Sequence, residues 1–144
     1  MLIGDGQAMG ELRDYVRVNQ LGNSVIFTGP MPHTRVPQYL DLIDIAVQPA
    51  ANEYCCPMKI LEYMALAKPI VAPRQENIRE ILREDAEARF FTPGDVQSMA
   101  EALRAVARDT NMARRMGERA RAAITERGYL WTANAERVPR FRIR

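Results

Sequence analysis

The sequence holds little of what metal sites, disulfide frameworks and membrane spans require. Its 144 residues include one histidine and two cysteines, which are neighbours, Cys55 and Cys56. Adjacent cysteines rarely pair with each other, and three such ligands are too few for a typical metal site. No apolar run reaches the about 18 residues of a membrane-spanning helix, and Asp5 interrupts the first apolar run too early for a signal peptide. We therefore expect a cytoplasmic protein with no metal and no cofactor.

The sequence does have enough apolar content for one folded domain, predicted to span residues 1–144. Hydrophobic residues make up 47% of the chain, and there is neither an internal repeat nor a low-complexity tract. Short β-rich runs alternate with helical patterns. The predicted strands are residues 1–4, 24–28, 43–47, 69–72 and 88–91. The predicted helices are 8–20, 36–42, 57 onward, 77–82, 96–108 and 111–127. Asn77, with Glu80 in a capping box, and Asp95 are predicted to cap two of these helices, and Gly128 is predicted to end the last one. This alternation indicates an α/β fold with a Rossmann-like, mostly parallel sheet and helices on both faces.

The most informative stretch begins at Cys56. Pro57 suits the first position of a helix, with Cys56 as its N-cap residue. The N–H groups of Met58 and Lys59 would then point out of the positive end of the helix dipole, which favours an anion such as phosphate. Glu62 shares a helix face with Lys59, and its carboxylate suits a pair of sugar hydroxyls. This pattern predicts a nucleotide, with its diphosphate at the helix end and its ribose one turn along.

A plainer interpretation of the same residues stays open. A Lys–Glu pair at this spacing often lies on a solvated helix face, and proline is common at helix starts. Both cysteines could be catalytic, although cysteine is more often a small buried residue.

Two further signals are weaker. Gly4, Gly6 and Gly10 resemble a dinucleotide-binding glycine motif, but the third glycine is one residue late, which favours a simple turn. His33 lies in a loop and is expected at the surface. In parallel sheets, ligands bind outside the carboxyl ends of the strands. Because the loops at 4–6, 29–33 and 48–57 each follow a predicted strand, we expect them to meet at one edge of the sheet.

The C-terminal third is basic. From Arg104 to Arg144 there are eleven arginines against Asp109, Glu118, Glu126 and Glu136. Such a region could meet nucleic acid or the anionic inner face of a membrane, although charged runs usually coat a solvated surface. We expect no nucleic-acid binding and keep peripheral membrane contact as an alternative.

Taken in order, several motifs resemble the C-terminal, donor-binding half of the GT-B glycosyltransferases of family 4, the glycosyl transferases group 1. The most specific block runs from Cys56 to Ala72. It is preceded and followed by weaker matches, which are 2–6, 25–29, Tyr39-Leu40 with Asp44, 92–95 and 129–132. The resemblance covers nearly the whole chain.

The resemblance implies a nucleotide-diphosphate sugar as donor and a retaining sugar transfer. Glu62 matches the second glutamate of the family's E-x7-E motif, which accepts the ribose hydroxyls. Pro57, Met58 and Lys59 match the turn that meets the diphosphate and the sugar. Residues around Gly29 and Met31 match the loop that borders the nucleobase.

The chain departs from the family pattern at the first glutamate of E-x7-E. That residue should fall at Tyr54, whereas the acid is Glu53, one position earlier. Either the loop shifts by one residue or recognition of the donor sugar differs. Some members carry Pro-x-Lys-x-x-Glu without the first glutamate, and this chain resembles them. We therefore predict that the donor site is completed by Glu53, Tyr54 and Cys56.

The second departure concerns extent. A GT-B enzyme has an N-terminal acceptor domain. The motifs of this sequence match neither that domain nor the start of the donor domain. We therefore expect a fragment that is inactive alone, because transfer needs donor and acceptor in one cleft, and we assign no catalytic residue. A C-terminal helical segment at 130–144 would lack its partner, so we predict a homodimer formed through that segment or through an uncovered part of the sheet. A non-catalytic nucleotide-binding or interaction module on the same fold is the alternative function.

Overall fold

The computed structural model describes residues 1–54, 56–130 and 132–133 of the chain. The chain divides into two compact units, Met1–Ile43 and Asp44–Arg144, and each is described by itself.

The first unit is built from one helix, two short helical segments and two extended segments. Helix α1 spans Met9–Val18, a 3₁₀ turn spans His33–Arg35, and α2 spans Val36–Asp41. These agree with the predicted helices at 8–20 and 36–42.

The two strands that were predicted for the first unit form only isolated bridges. The Leu2 N–H donates to the Ile26 carbonyl at 2.8 Å, and the Thr28 N–H donates to the Leu2 carbonyl at 3.0 Å. Pairing stops at Gly4 and Gly29, whose N–H to carbonyl distance is 3.2 Å and whose φ angles are 112° and 69°. Backbone in this left-handed region cannot continue an extended ladder, so the prediction of five full strands is wrong for this pair.

The second unit contains a parallel sheet of three strands in the order β1, β2, β3. Strand β1 spans Ala46–Val47, β2 spans Ile70–Pro73, and β3 spans Ala88–Phe91. Ala46 pairs with Ile70, and Ile70 pairs with Ala88. The predicted mostly parallel α/β fold is confirmed.

Helices cover both faces of this sheet. The helices of the second unit are α3 at Met58–Ala65, α4 at Glu76–Arg79, α5 at Val96–Arg108 and α6 at Thr110–Glu126. On one face Ile70 and Ala72 pack in a cluster with Ile60 and Met64 of α3. On the other face Val71 packs in a second cluster with Val106 of α5. The alternation of side chains along β2 therefore divides the core into two layers.

The long helices begin and end where the sequence indicates. Asp95 accepts a hydrogen bond from the Ser98 N–H at 3.0 Å and caps α5, as predicted. Asp109 accepts one from the Met112 N–H at 2.8 Å and caps α6, so this helix begins one residue before the predicted Asn111. Gly128, with a φ of 66°, follows the end of α6, as expected of a terminating glycine.

Two long-range contacts fix α6 within the second unit. A Cβ on Gly117 would lie 1.9 Å from the Ala67 carbonyl oxygen, so only glycine fits this approach of helix to turn. Near the other end of α6, Arg127 donates to both the carboxylate of Glu87 and the carbonyl of Ile81. The side chain of Glu87 is 1% exposed and that of Arg127 is 19% exposed, so the carboxylate of this ion pair is buried and its guanidinium is half-buried.

Helix α4 differs from the prediction. It begins after Gln75 instead of at Asn77, it ends at Arg79, and no side chain caps it. The predicted capping box from Asn77 to Glu80 is therefore wrong, because Asn77 lies inside the helix and its amide donates elsewhere. Most of the predicted C-terminal segment, 131 and 134–144, lies outside the described residues.

Candidate functional site

The candidate site lies where the loop 48–57 leads into α3. Because α3 follows β1, its first turn lies on the side of the sheet where the parallel strands end. Pro57 is the N-cap residue, since its ψ of 81° is not helical although proline fixes φ. The prediction that Cys56 is the N-cap and Pro57 the first helical residue is therefore wrong by one position.

The backbone at the start of α3 is partly satisfied by its own loop. The Met58 N–H donates to the Cys56 carbonyl at 2.9 Å, and the Ile60 N–H donates to the Pro57 carbonyl at 2.9 Å. The Met58 N–H, which was predicted to point toward an anion, is thus already paired with a loop carbonyl outside the helix. What α3 presents to an anion is its dipole and the exposed Lys59 side chain.

Most of the predicted loop side chains are open to solvent. Tyr54 is 88% exposed and Met58 is 63% exposed. Glu53 and Cys56 are exposed as well, whereas Pro57 is buried. Cys56 is a free thiol that is exposed to solvent, so the interpretation of it as a small buried residue is wrong. Cys55 lies outside the described residues.

Glu62 lies on the half-buried side of α3. Its neighbours at 60 and 64, Ile60 and Met64, are fully buried, while Glu62 itself keeps part of its surface exposed. Burial raises the pKa of the adjacent Tyr63 hydroxyl, and the negative charge of Glu62 raises that pKa further. Glu62 therefore lies at the border between core and solvent, one turn beyond the start of the helix.

Gly29 and Met31, the residues predicted to border a nucleobase, belong to the first unit. Gly29 accepts a hydrogen bond from Gly4, so the predicted loops at 4–6 and 29–33 do meet within that unit. Met31 is half-buried, and His33 is exposed at the start of the 3₁₀ turn, as expected. A pocket of about 190 Å³ lies on the loop at 4–6 and the first turns of α1.

Two site-supporting residues were not predicted from the sequence. The side-chain amide of Gln75 donates to the Ala51 carbonyl at 3.0 Å, and that of Asn77 donates to the Asn52 carbonyl at 2.9 Å. Gln75 reaches from the β2–α4 connection, and Asn77 from α4, to the loop that carries Glu53 and Tyr54. Such contacts over 24 and 25 residues leave no local sequence signal.

In the part of the chain that the structure describes, no three His, Cys, Asp or Glu residues are grouped closely enough to hold a metal ion. Among those residues, too, every helix is too short or too polar to cross a bilayer.

Comparison with known proteins identifies the class. The profile of the family Glycosyl transferases group 1 matches residues 1–109, and the chain belongs to that family. The sulfoquinovosyl transferase SQD2 of Arabidopsis thaliana is 30% identical over 94% of this chain and 26% of its own length. The alpha-D-kanosaminyltransferase of Streptomyces kanamyceticus is 27% identical over 83% of this chain and 31% of its own length.

Solved structures share the fold. The HepE protein of Anabaena in complex with UDP matches 94% of this chain with a TM-score of 0.84 and 24% identity. Its complex with UDP-glucose matches with a TM-score of 0.80 and 25% identity. The chain spans 38% of that protein and about a third or less of the two transferases.

Proposed function

We propose that this chain supplies the nucleotide-sugar donor site of a glycosyltransferase that transfers a sugar to an acceptor with retention of configuration. The observation that carries the proposal is the first turn of α3. There a helix dipole, the exposed Lys59 and the half-buried Glu62 share one end of a parallel sheet, in a chain of the Glycosyl transferases group 1 family. The UDP and UDP-glucose complexes of HepE support a donor of this class.

The proposed roles follow from chemistry. Lys59 and the end of α3 attract the diphosphate, and Met58 and Pro57 form the turn around it. The carboxylate of Glu62 accepts two hydrogen bonds from the ribose hydroxyls.

The remaining residues contact the ends of the donor. We assign the sugar to the loop with Glu53, Tyr54 and Cys56, and the nucleobase to Gly29 and Met31. Neither a metal nor a cofactor has a part in this assignment.

A titration tests the donor site. Calorimetry with UDP, GDP and ADP is expected to give millimolar or tighter binding for one of them. Glu62→Ala is expected to abolish that binding, because the ribose hydroxyls lose their acceptor. The matched control Glu101→Ala removes an exposed glutamate of α5 and should leave affinity unchanged. Equal binding by wild type and Glu62→Ala would contradict the proposal.

A basic surface gives the alternative. Five exposed arginines of α5 and α6 make no ion pair within the part of the chain that the structure describes, namely Arg104, Arg108, Arg115, Arg119 and Arg121. A binder of nucleic acid or of the inner membrane face would show steeply salt-dependent affinity for DNA or anionic vesicles that Glu62→Ala does not change. If the chain is instead a non-catalytic nucleotide-binding module, the longer protein that contains it would bind the diphosphate but show no sugar transfer.

We further propose that the 144-residue chain shows no transfer alone and self-associates. Sugar transfer needs donor and acceptor in one cleft, and the chain spans 38% or less of the relatives compared above. Apolar side chains on α1 are open, with Leu12, Tyr15 and Val18 exposed by 42%, 63% and 72%. Turnover of a sugar nucleotide at an enzyme-like rate would contradict the first statement. Light scattering that finds only a monomer at high concentration would contradict the second.

A further inference from the structure

The loop 48–57 is held by hydrogen bonds at both ends. The Gln48 N–H donates to the Val71 carbonyl at 2.9 Å, which extends the β1–β2 pairing by one residue. The other end is closed by the hydrogen bond from Met58 to Cys56. The middle of the loop receives two side-chain hydrogen bonds, from Gln75 to Ala51 and from Asn77 to Asn52.

These two amides act on consecutive carbonyls just before Glu53 and Tyr54. A single hydrogen bond would leave the loop free to rotate about it, whereas two on adjacent peptide units fix both the position and the orientation of the backbone. The backbone from which the exposed side chains of Glu53 and Tyr54 project is thereby held in place.

Gln75 makes this contact at a cost to folding. Its Oε1 atom is buried, and no donor among the described residues reaches it. A buried acceptor without a donor is unfavourable, and a methionine of similar shape would avoid it. An arrangement that favours loop position over stability is typical of functional sites.

From these contacts we infer that Gln75 and Asn77 are positioning residues, which hold the loop 48–57 so that Glu53 and Tyr54 meet the sugar of the donor. The inference rests on the proposed function. It assigns the two amides to recognition of the sugar, while the diphosphate and ribose depend on α3.

The first test measures loop order without a ligand. In wild type, ¹⁵N order parameters at 51–54 should be near the rigid value of about 0.85, and in Gln75→Met they should fall below about 0.6. The midpoint of thermal unfolding should stay the same or rise, because the substitution also removes the unpaired Oε1 atom. A purely structural role for Gln75 predicts the reverse, a lowered midpoint with an ordered loop, and that result would overturn the inference.

The second test measures recognition of the sugar. Six probes are titrated: UDP, UDP-glucose, GDP, GDP-mannose, ADP and ADP-glucose. In Gln75→Met and in Asn77→Asp, affinity for the bound nucleotide sugar should fall about tenfold, because ordering the loop becomes part of the cost of binding. Affinity for the corresponding free diphosphate should stay within about twofold, because that ligand does not need the loop.

Matched controls make the same chemical changes elsewhere. Gln97→Met removes an exposed amide of α5, and Asn19→Asp removes an amide that donates to the Tyr15 carbonyl at 2.8 Å in the first unit. Neither should change the ratio of the two affinities. If Gln75→Met fails to fold, Asn77→Asp carries both tests.

The outcomes separate the two proposals. A wild-type chain that binds none of the six probes would overturn the donor site and, with it, the sugar role of the amides. A wild-type chain that binds, with variants that bind both ligands equally well, would overturn the positioning role alone.

Discussion

The two units of this chain contrast in how their residues are buried. Among the buried apolar side chains of the described residues, Leu40 alone belongs to Met1–Ile43, and no residue of α1 is buried. The unit that begins at Asp44 has two apolar clusters on opposite faces of its sheet. Regular parallel pairing therefore forms where both faces are covered, and only isolated bridges form in the other unit.

The contrast predicts different consequences for equivalent changes in the two units. Both units contain ion pairs, glycines and titrating groups. Among the described residues, those that lie against a core, such as Glu87, Gly117 and Tyr63, belong to the second unit.

The largest effect should come from the ion pair between Glu87 and Arg127. Arg127→Ala would leave Glu87 buried without its guanidinium, which should lower the free energy of unfolding by about 3–5 kcal/mol. In the first unit Arg17→Ala breaks a pair with Asp14 that is more than 70% exposed, and the loss should be at most about 0.5 kcal/mol. Urea denaturation measures both, and equal losses would remove the contrast.

The next effect differs in sign between the units. Gly117→Ala would place a methyl group against the Ala67 carbonyl and should cost about 1–3 kcal/mol. Gly10→Ala, in α1, meets no atom within 4 Å and should stabilise the helix by about 0.5 kcal/mol. Thermal unfolding should therefore shift down in the first variant and up in the second. A rise in both would show that α6 can move away from Ala67.

The smallest effect is electrostatic and concerns Tyr63. Burial and the charge of Glu62 both raise the pKa of its hydroxyl above the ordinary value of about 10. Above that pH the unfolded chain loses the phenolic proton first, so stability should fall as pH rises from about 10 through the raised pKa. Glu62→Gln should lower the pKa of Tyr63 and weaken this dependence.

Ultraviolet absorbance titration, with Tyr63→Phe as the reference that isolates one phenol, measures this shift. An unchanged Tyr63 titration in Glu62→Gln would show that the carboxylate at 62 is not charged beside it.

Local patterns predicted much of the second unit. Asp95 and Gly128 mark helix ends through short-range chemistry, so the sequence was sufficient for them. Pro57 was assigned one position too far into α3 because proline fixes φ, while ψ depends on the loop that precedes it. The start of α4 was wrong for a related reason, since the amide of Asn77 serves the carbonyl of Asn52 instead of a helix end.

Most contacts between distant positions could not be predicted from the sequence. The pair of Glu87 and Arg127 spans 40 residues, and the approach of Gly117 to Ala67 depends on how two helices and a turn pack. The amides of Gln75 and Asn77 belong to the same class. The exposed loop of the candidate site was predictable from its motif, whereas the residues that hold it were not.

The most direct test of the donor site is to map where a nucleotide binds. Amide ¹H–¹⁵N shifts of the 144-residue chain are followed during titration with UDP, GDP and ADP. We predict the largest changes at Met58 to Glu62, in the first turns of α3. Changes confined to the exposed arginines of α5 and α6, with α3 unaffected, would contradict the proposal.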